Sequence, residues 1–301
     1  MIYSKTENTY KRLQIIHILS YINIIFCSFI FLYTFFYCEF LLFFSLSQLS
    51  IIFFFIAQYF LKKKYLSIYR EECVTQLLND EFNYFEYHQN EGIDKNVVYD
   101  TRMMFEGNRF KSNNQIIGNY HGVNFIQADI KIKRTRKLMS AISLLFGAFV
   151  PTSDTLFKGK WILFEFNKKF SANFQVRDKW ITNARVDNSI GHWNYKFIET
   201  ENSAFNNKFL VYAYNPHDAF YVLTPRFMEK LLLLSKHIKG RIILCFVDNV
   251  LHVGVDNVKP SFRYSIYKKV DQRRFKESLL KDVCVITSFI DELNLENDIF
   301  K

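Results

Sequence analysis

The chain has 301 residues, with 39 Lys and Arg against 29 Asp and Glu, a formal charge of +10 and an apolar content of 50%. Its five cysteines, Cys27, Cys38, Cys73, Cys245 and Cys284, form an odd set without a CxxC pair, which reads as free thiols and excludes the clustered thiolates of a tetrahedral zinc site. The basic excess comes with no nucleic-acid module, and the abundant Phe, Tyr, Ile, Asn and Lys look like a coding bias rather than a base-stacking set, so nucleic acid is not an expected partner.

Two apolar stretches open the chain, Leu13 to Phe36 and Phe40 to Leu61, joined by Tyr37, Cys38 and Glu39. A bilayer core of about 30 Å is crossed by roughly 20 apolar residues in a helix. Neither stretch contains a Lys, Arg or Asp, so residues 1–61 are predicted as a transmembrane hairpin with helices at about 13–36 and 40–61. A signal peptide would have a shorter apolar core and no second full-length span directly behind it. Lys5, Lys11 and Arg12 precede the first helix, and Lys62, Lys63 and Lys64 follow the second. This positive-inside pattern predicts a multi-pass protein of the inner (plasma) membrane with both termini cytoplasmic. Ser28 and Gln48 lie equally far from Cys38, so an antiparallel hairpin brings them to similar depth, where they could share a hydrogen bond.

Residues 62–96 read as a juxtamembrane helix and a polar linker, residues 97–267 as an α+β domain, and residues 268–301 as a C-terminal amphipathic helix. Within the domain, Val97 to Phe105 reads as a short helix. Gln115 to Tyr120 and Val123 to Lys133 read as a hairpin around His121-Gly122, whose glycine supplies a positive φ, with a bulge where the alternation of the second strand changes face. Further strands are expected at Leu156 to Phe166, Asn173 to Arg177, Tyr195 to Glu199 and Phe209 to Tyr214, giving a mostly antiparallel sheet. Thr224-Pro225 begins a helix with Phe227, Leu231 and Leu234 as its buried stripe and Gly240 as its stop. Arg241 to Val247 and Val250 to Val255 then form a hairpin around Asp248-Asn249. Phe275, Leu279, Val283, Ile286, Ile290 and Leu293 mark one face of the last helix, which either packs on the core or self-associates.

Three runs carry a family resemblance: Leu156-Phe157-Lys158-Gly159-Lys160-Trp161, Phe205-Asn206-Asn207-Lys208-Phe209-Leu210-Val211-Tyr212, and the stretch from Asp218-Ala219-Phe220-Tyr221 through Thr224-Pro225 to Leu231. In this order, followed by the Asp248 hairpin, the chain resembles the bacterial domain-of-unknown-function family 3137 over roughly residues 97–267. The resemblance implies N-terminal membrane helices. It implies no activity, because the matching residues are mostly apolar, Gly, Pro and turn formers that serve folding.

No catalytic, cofactor-binding or metal residue is singled out, and no cofactor is expected. His121, His217 and His252 lack HExxH or i, i+4 spacing, Glu199 with Glu201 and Asp178 with Asp187 are weak acid/base pairs, and no phosphate-binding glycine loop is present. The sharper candidate is a lipid-interface contact. Lys131, Lys133, Arg134, Arg136 and Lys137 precede an apolar run from Leu138 to Val150 that includes Leu144, Leu145, Phe146 and Phe149. Basic residues beside a short apolar segment match the requirements of an interfacial anchor on anionic lipid headgroups, although a core segment or a protein-binding loop has the same apolar content. The reading is therefore a membrane-anchored cytosolic binding or scaffold module whose partners are the bilayer and its anionic headgroups. The alternatives are an enzyme with an unrecognised site and an accessory subunit of a membrane transport complex.

Overall fold

The computed structural model describes residues 84–138, 150–166, 173–181, 195–262 and 272–295 throughout, with parts of 11–82. It divides into two compact units, residues 1–76 with 264–272, and residues 77–263 with 273–301.

In the first unit the described residues of 11–29 and 49–64 are helical. Among the described residues no helix is both long and apolar enough to cross a membrane. Much of the expected spans 13–36 and 40–61, including Gln48 and Cys38, lies outside the described residues. Ser28 Oγ donates to the Ile24 carbonyl within its own helix, and Gln58 Nε2 donates to Ser20 Oγ.

The second unit is an α+β domain. Its strands are β1 (Tyr84–His88), β2 (Arg109–Tyr120), β3 (Val123–Leu138), β4 (Val150–Glu165), β5 (Phe174–Asp178), β6 (Lys196–Ile198), β7 (Phe209–Ala213), β8 (Arg241–Val247) and β9 (Val250–Asp256). They form one sheet in the order β1-β2-β3-β4-β9-β8-β5-β7-β6, and every pairing is antiparallel. The helices are α1 (Lys95–Tyr99), α2 (Ser203–Lys208), α3 (Pro216–Val222), α4 (Pro225–His237) and α5 (Gln272–Leu293).

Local chemistry explains the punctuation. His121 and Gly122 take φ of 49° and 82°, the pair of positive values that a two-residue hairpin needs, and Asp248 takes 54° at the β8–β9 turn. Asp94, Asn202, Asn215 and Thr224 cap α1, α2, α3 and α4 by accepting from backbone N–H groups of the first turn. α4 begins at Pro225 as expected, but it ends at His237 with an extended residue, Ile238, as its cap. Gly240 is therefore not a left-handed stop. A Cβ there would meet the Asp256 carbonyl oxygen at 2.8 Å, so the residue serves close packing at the start of β8.

The two sheet faces are covered differently. On one, Ile93, Val98, Met103 and Met104 pack against Ala128, Ile130, Ile132, Phe157 and Trp161. On the other, α4 sets Phe227 against Phe246, and α5 is pinned by an ion pair from Lys160 Nζ to Asp282 Oδ1 at 2.8 Å. Val283, Ile286, Ile290 and Leu293 of α5 are all buried. From Val283 to Leu293 the amphipathic stripe of the last helix is thus occupied within this chain's own domain. Phe262 N donates to the second carboxylate oxygen of Asp282, and Asp129 accepts from Asn114 Nδ2, Ser261 N and Ser261 Oγ, so residues 261–262 are tied to both the sheet and α5.

Candidate functional site: a basic sheet face at the root of a β-ribbon

Lys131 to Lys137 were expected to stand at the end of a strand, leading into an apolar segment. The backbone instead continues as β3 through Leu138, and β4 starts at Val150, so the two strands pair rung by rung from Asn124↔Glu165 to Leu138↔Val150. The paired portion of β2 stops at Arg109↔Lys133, and that of β9 at Gly159↔Asp256. Rungs from Arg134 to Leu138 therefore belong to a two-stranded ribbon running past its neighbours in the sheet, with residues 139–149 as its connection. Leu144, Leu145, Phe146 and Phe149 fall in that connection, which lies outside the described residues.

The ribbon is fastened at its root. Asn108 acts as a surrogate strand residue: its Nδ2 donates to the Thr135 carbonyl at 2.8 Å, and its Oδ1 accepts from Thr135 N at 2.8 Å. Arg134 crosses to the face of the 93–107 segment, donating to the Glu106 carbonyl at 3.4 Å and lying 5.2 Å from the centre of the Phe105 ring. Arg134 thus supports the ribbon, and its charge is directed away from Lys131 and Lys133. Two register shifts occur, and neither puts its extra residue on β3, where a bulge was expected: Asn114 and Gln115 of β2 oppose Ala128 alone, and Leu156 of β4 is the extra residue between Ile132↔Phe157 and Lys133↔Thr155.

Strand alternation places Lys131 and Lys133 on the face opposite Ile130 and Ile132. Register then adds basic residues that do not neighbour them in sequence. Lys111 on β2 and Lys158 on β4 both stand directly opposite Lys131, and Arg109 on β2 stands opposite Lys133. A row of three lysines across three strands and a second row of Arg109 and Lys133 share one face. Arg109, Lys111 and Lys158 are exposed, and Lys131 and Lys133 are half-buried. Among the described residues, no ion pair involves any of these five side chains. Asp129, the nearest acid along β3, has its oxygens engaged by Asn114 and Ser261. Burial pushes its carboxyl above the usual range, against the pull of those hydrogen bonds and of Lys160. The ammonium of Lys131 is held below the usual lysine range, first by Lys133, then by partial desolvation, then by Lys158 and Lys111. This face can hold a multivalent anion.

Among the described residues the histidines form no cluster that could hold a metal ion. His121 is exposed at its turn, 3.6 Å from Asp291, and His217 lies in the first turn of α3. His252 is buried beside Trp161, its ring pKa lowered by burial to about 4. Asp178 is buried and ion-paired with Lys208 at 2.9 Å, a structural role.

The family model for a "Protein of unknown function (DUF3137)" matches residues 155–295. This segment is a DUF3137 region. It takes in Lys158 and all of the sheet from β5 onward, and it stops short of β1 to β3. No curated protein matches the chain. Among solved structures the chain is similar to the mycobacterial trehalose monomycolate transport factor A, TtfA, at 12% identity and a TM-score of 0.37, covering 75% of this chain and 93% of that one.

Proposed function

We propose that the chain is a membrane-anchored binding module whose DUF3137-containing domain lies against the anionic cytoplasmic leaflet. The observation that carries this reading is the basic face of Arg109, Lys111, Lys131, Lys133 and Lys158 at the root of a ribbon whose connection is apolar in sequence. Each basic residue near such a surface contributes about 1 kcal/mol of attraction, and apolar side chains add contact with the acyl boundary. The anchor itself is supported by the first unit, where Ile18, Ile22, Phe26, Phe29, Phe53 and Phe60 are exposed on helices although wholly apolar. The Gln58 to Ser20 hydrogen bond also joins the two helical stretches to each other.

The test is vesicle flotation of residues 77–301, which begin at the boundary of the second compact unit. The fragment should float with anionic vesicles at low salt and stay behind with zwitterionic ones. High salt should release it, and so should replacement of Lys111, Lys131, Lys133 and Lys158 by Gln. A folded fragment that ignores anionic vesicles at low salt ends this reading.

A further inference from the structure

Like charges placed directly opposite across strands destabilise a sheet. This sheet nevertheless sets Lys111, Lys131 and Lys158 in one row and Arg109 opposite Lys133 in the next. Among the described residues no ion pair relieves them. A general attraction to a charged membrane needs no such arrangement, since basic residues scattered over the domain would serve. Two rows on a fixed grid do something more specific. Neighbouring strands anchor their side chains about 5 Å apart, and alternate residues along a strand about 7 Å apart, so the five basic side chains are rooted within an area of about 10 by 7 Å, within reach of two adjacent phosphates. Lysines act there as point charges, and Arg109 adds a fork that can hold two oxygens of one phosphate.

The geometry points to a site on the β2–β3–β4 face, built from Arg109, Lys111, Lys131, Lys133 and Lys158, for a ligand carrying two neighbouring phosphate groups. The inference rests on the reading of this face as a lipid contact and adds a ligand class to it: a headgroup with paired phosphates is bound in preference to single phosphates of the same total charge. The source is a lipid, because β3 and β4 continue from this site into the apolar connection 139–149. Three of the residues, Arg109, Lys111 and Lys158, lie outside the 131–137 cluster, which makes the site separable from the ribbon.

The experiment uses the purified full chain in neutral detergent, with native mass spectrometry and thermal unfolding as readouts. The probes are diphosphatidylglycerol, phosphatidylglycerol at matched charge, inorganic pyrophosphate and a short oligouridylate. Diphosphatidylglycerol should bind more tightly than charge-matched phosphatidylglycerol, and the triple variant K111Q/K131Q/K158Q should lose about tenfold or more of that affinity. Pyrophosphate competing for the same residues would support the paired-phosphate chemistry and place part of the recognition in the phosphates alone. The same variant should unfold at or above the temperature of the parent, because it relieves like-charge opposition, so a loss of binding cannot be ascribed to a loss of fold. Equal binding of the two lipids, undiminished binding by the variant, or binding of the oligouridylate alone overturns the inference. If flotation holds while the two lipids bind equally, only the ligand class fails; if flotation fails as well, the lipid reading fails with it.

Discussion

Replacing Asp282 with Asn leaves Lys160 in the protein without its counter-ion. The Lys160 side chain is 3% exposed and that of Asp282 21% exposed, with the charged atoms 2.8 Å apart. Lys160 Nζ also donates to the Asp282 carbonyl at 3.1 Å, a contact the substitution leaves in place. Breaking one side of a buried pair costs about 3 to 5 kcal/mol, because the remaining charge keeps its desolvation penalty. Asp129 lies on the same face and attracts Lys160, which offsets part of that loss, so the lower end, about 3 kcal/mol, is expected. For a domain of this size that corresponds to a fall of roughly 6 to 12 °C in Tm. The assay is urea and thermal unfolding of the 77–301 fragment and its variants Asp282→Asn, Lys160→Met and the double variant. The double variant should recover much of the loss, because it removes the unpaired buried ammonium that Asp282→Asn alone leaves behind. The Lys160→Met variant alone should also destabilise, because it removes a charge that holds the Asp129 carboxyl down. A loss below about 1 kcal/mol for Asp282→Asn, or strict additivity in the double variant, would refute the claim that this pair ties α5 to the sheet.

Three further outcomes follow from buried groups. His252 has its pKa lowered to about 4, so the neutral ring is favoured in the fold; stability is full above the unfolded value of about 6.5 and falls by about 3 kcal/mol as pH drops toward 4 and below, a limb that His252→Phe should remove in urea titrations at stepped pH. A Cβ on Gly159 would lie 1.8 Å from the Val255 carbonyl oxygen, so Gly159→Ala should force β4 from β9 and lower stability by about 1 to 3 kcal/mol or more, measured by the urea midpoint. Cys245 is fully buried and its thiol is pushed up to about 12, so it stays silent to thiol reagents on either side of a membrane; exposed Cys284 is the reporter, and an impermeant maleimide on intact cells should spare it while reaching Cys38.

Local signals were legible wherever one or two residues decide the backbone. The His121-Gly122 and Asp248-Asn249 turns, the Thr224-Pro225 helix start and the stripe of α5 could all be read from spacing. β1 escaped because Tyr84 to His88 is a short edge strand with no apolar alternation, its identity set by pairing with Gln115 to Asn119. The basic face was half legible. Lys131 and Lys133 stood out as part of a run, but Lys111 and Lys158 join them only through register. The two-residue turn at 121–122 alone would set Lys111 opposite Ile132, on the other face, and only the bulge between Asn113 and Ile116 moves it opposite Lys131. Arg134 was grouped with the lysines by sequence proximity, and strand alternation sends it to the other face.

The most direct test of membrane contact is photocrosslinking from the ribbon connection in living cells, with the photoreactive residue p-benzoylphenylalanine in place of Phe146 in the full chain. The account expects irradiation to attach lipid to this position, with less adduct when the basic face carries K111Q/K131Q/K158Q. A cross-link to another protein, or one closing back onto this chain's own domain, would contradict membrane contact by residues 139–149.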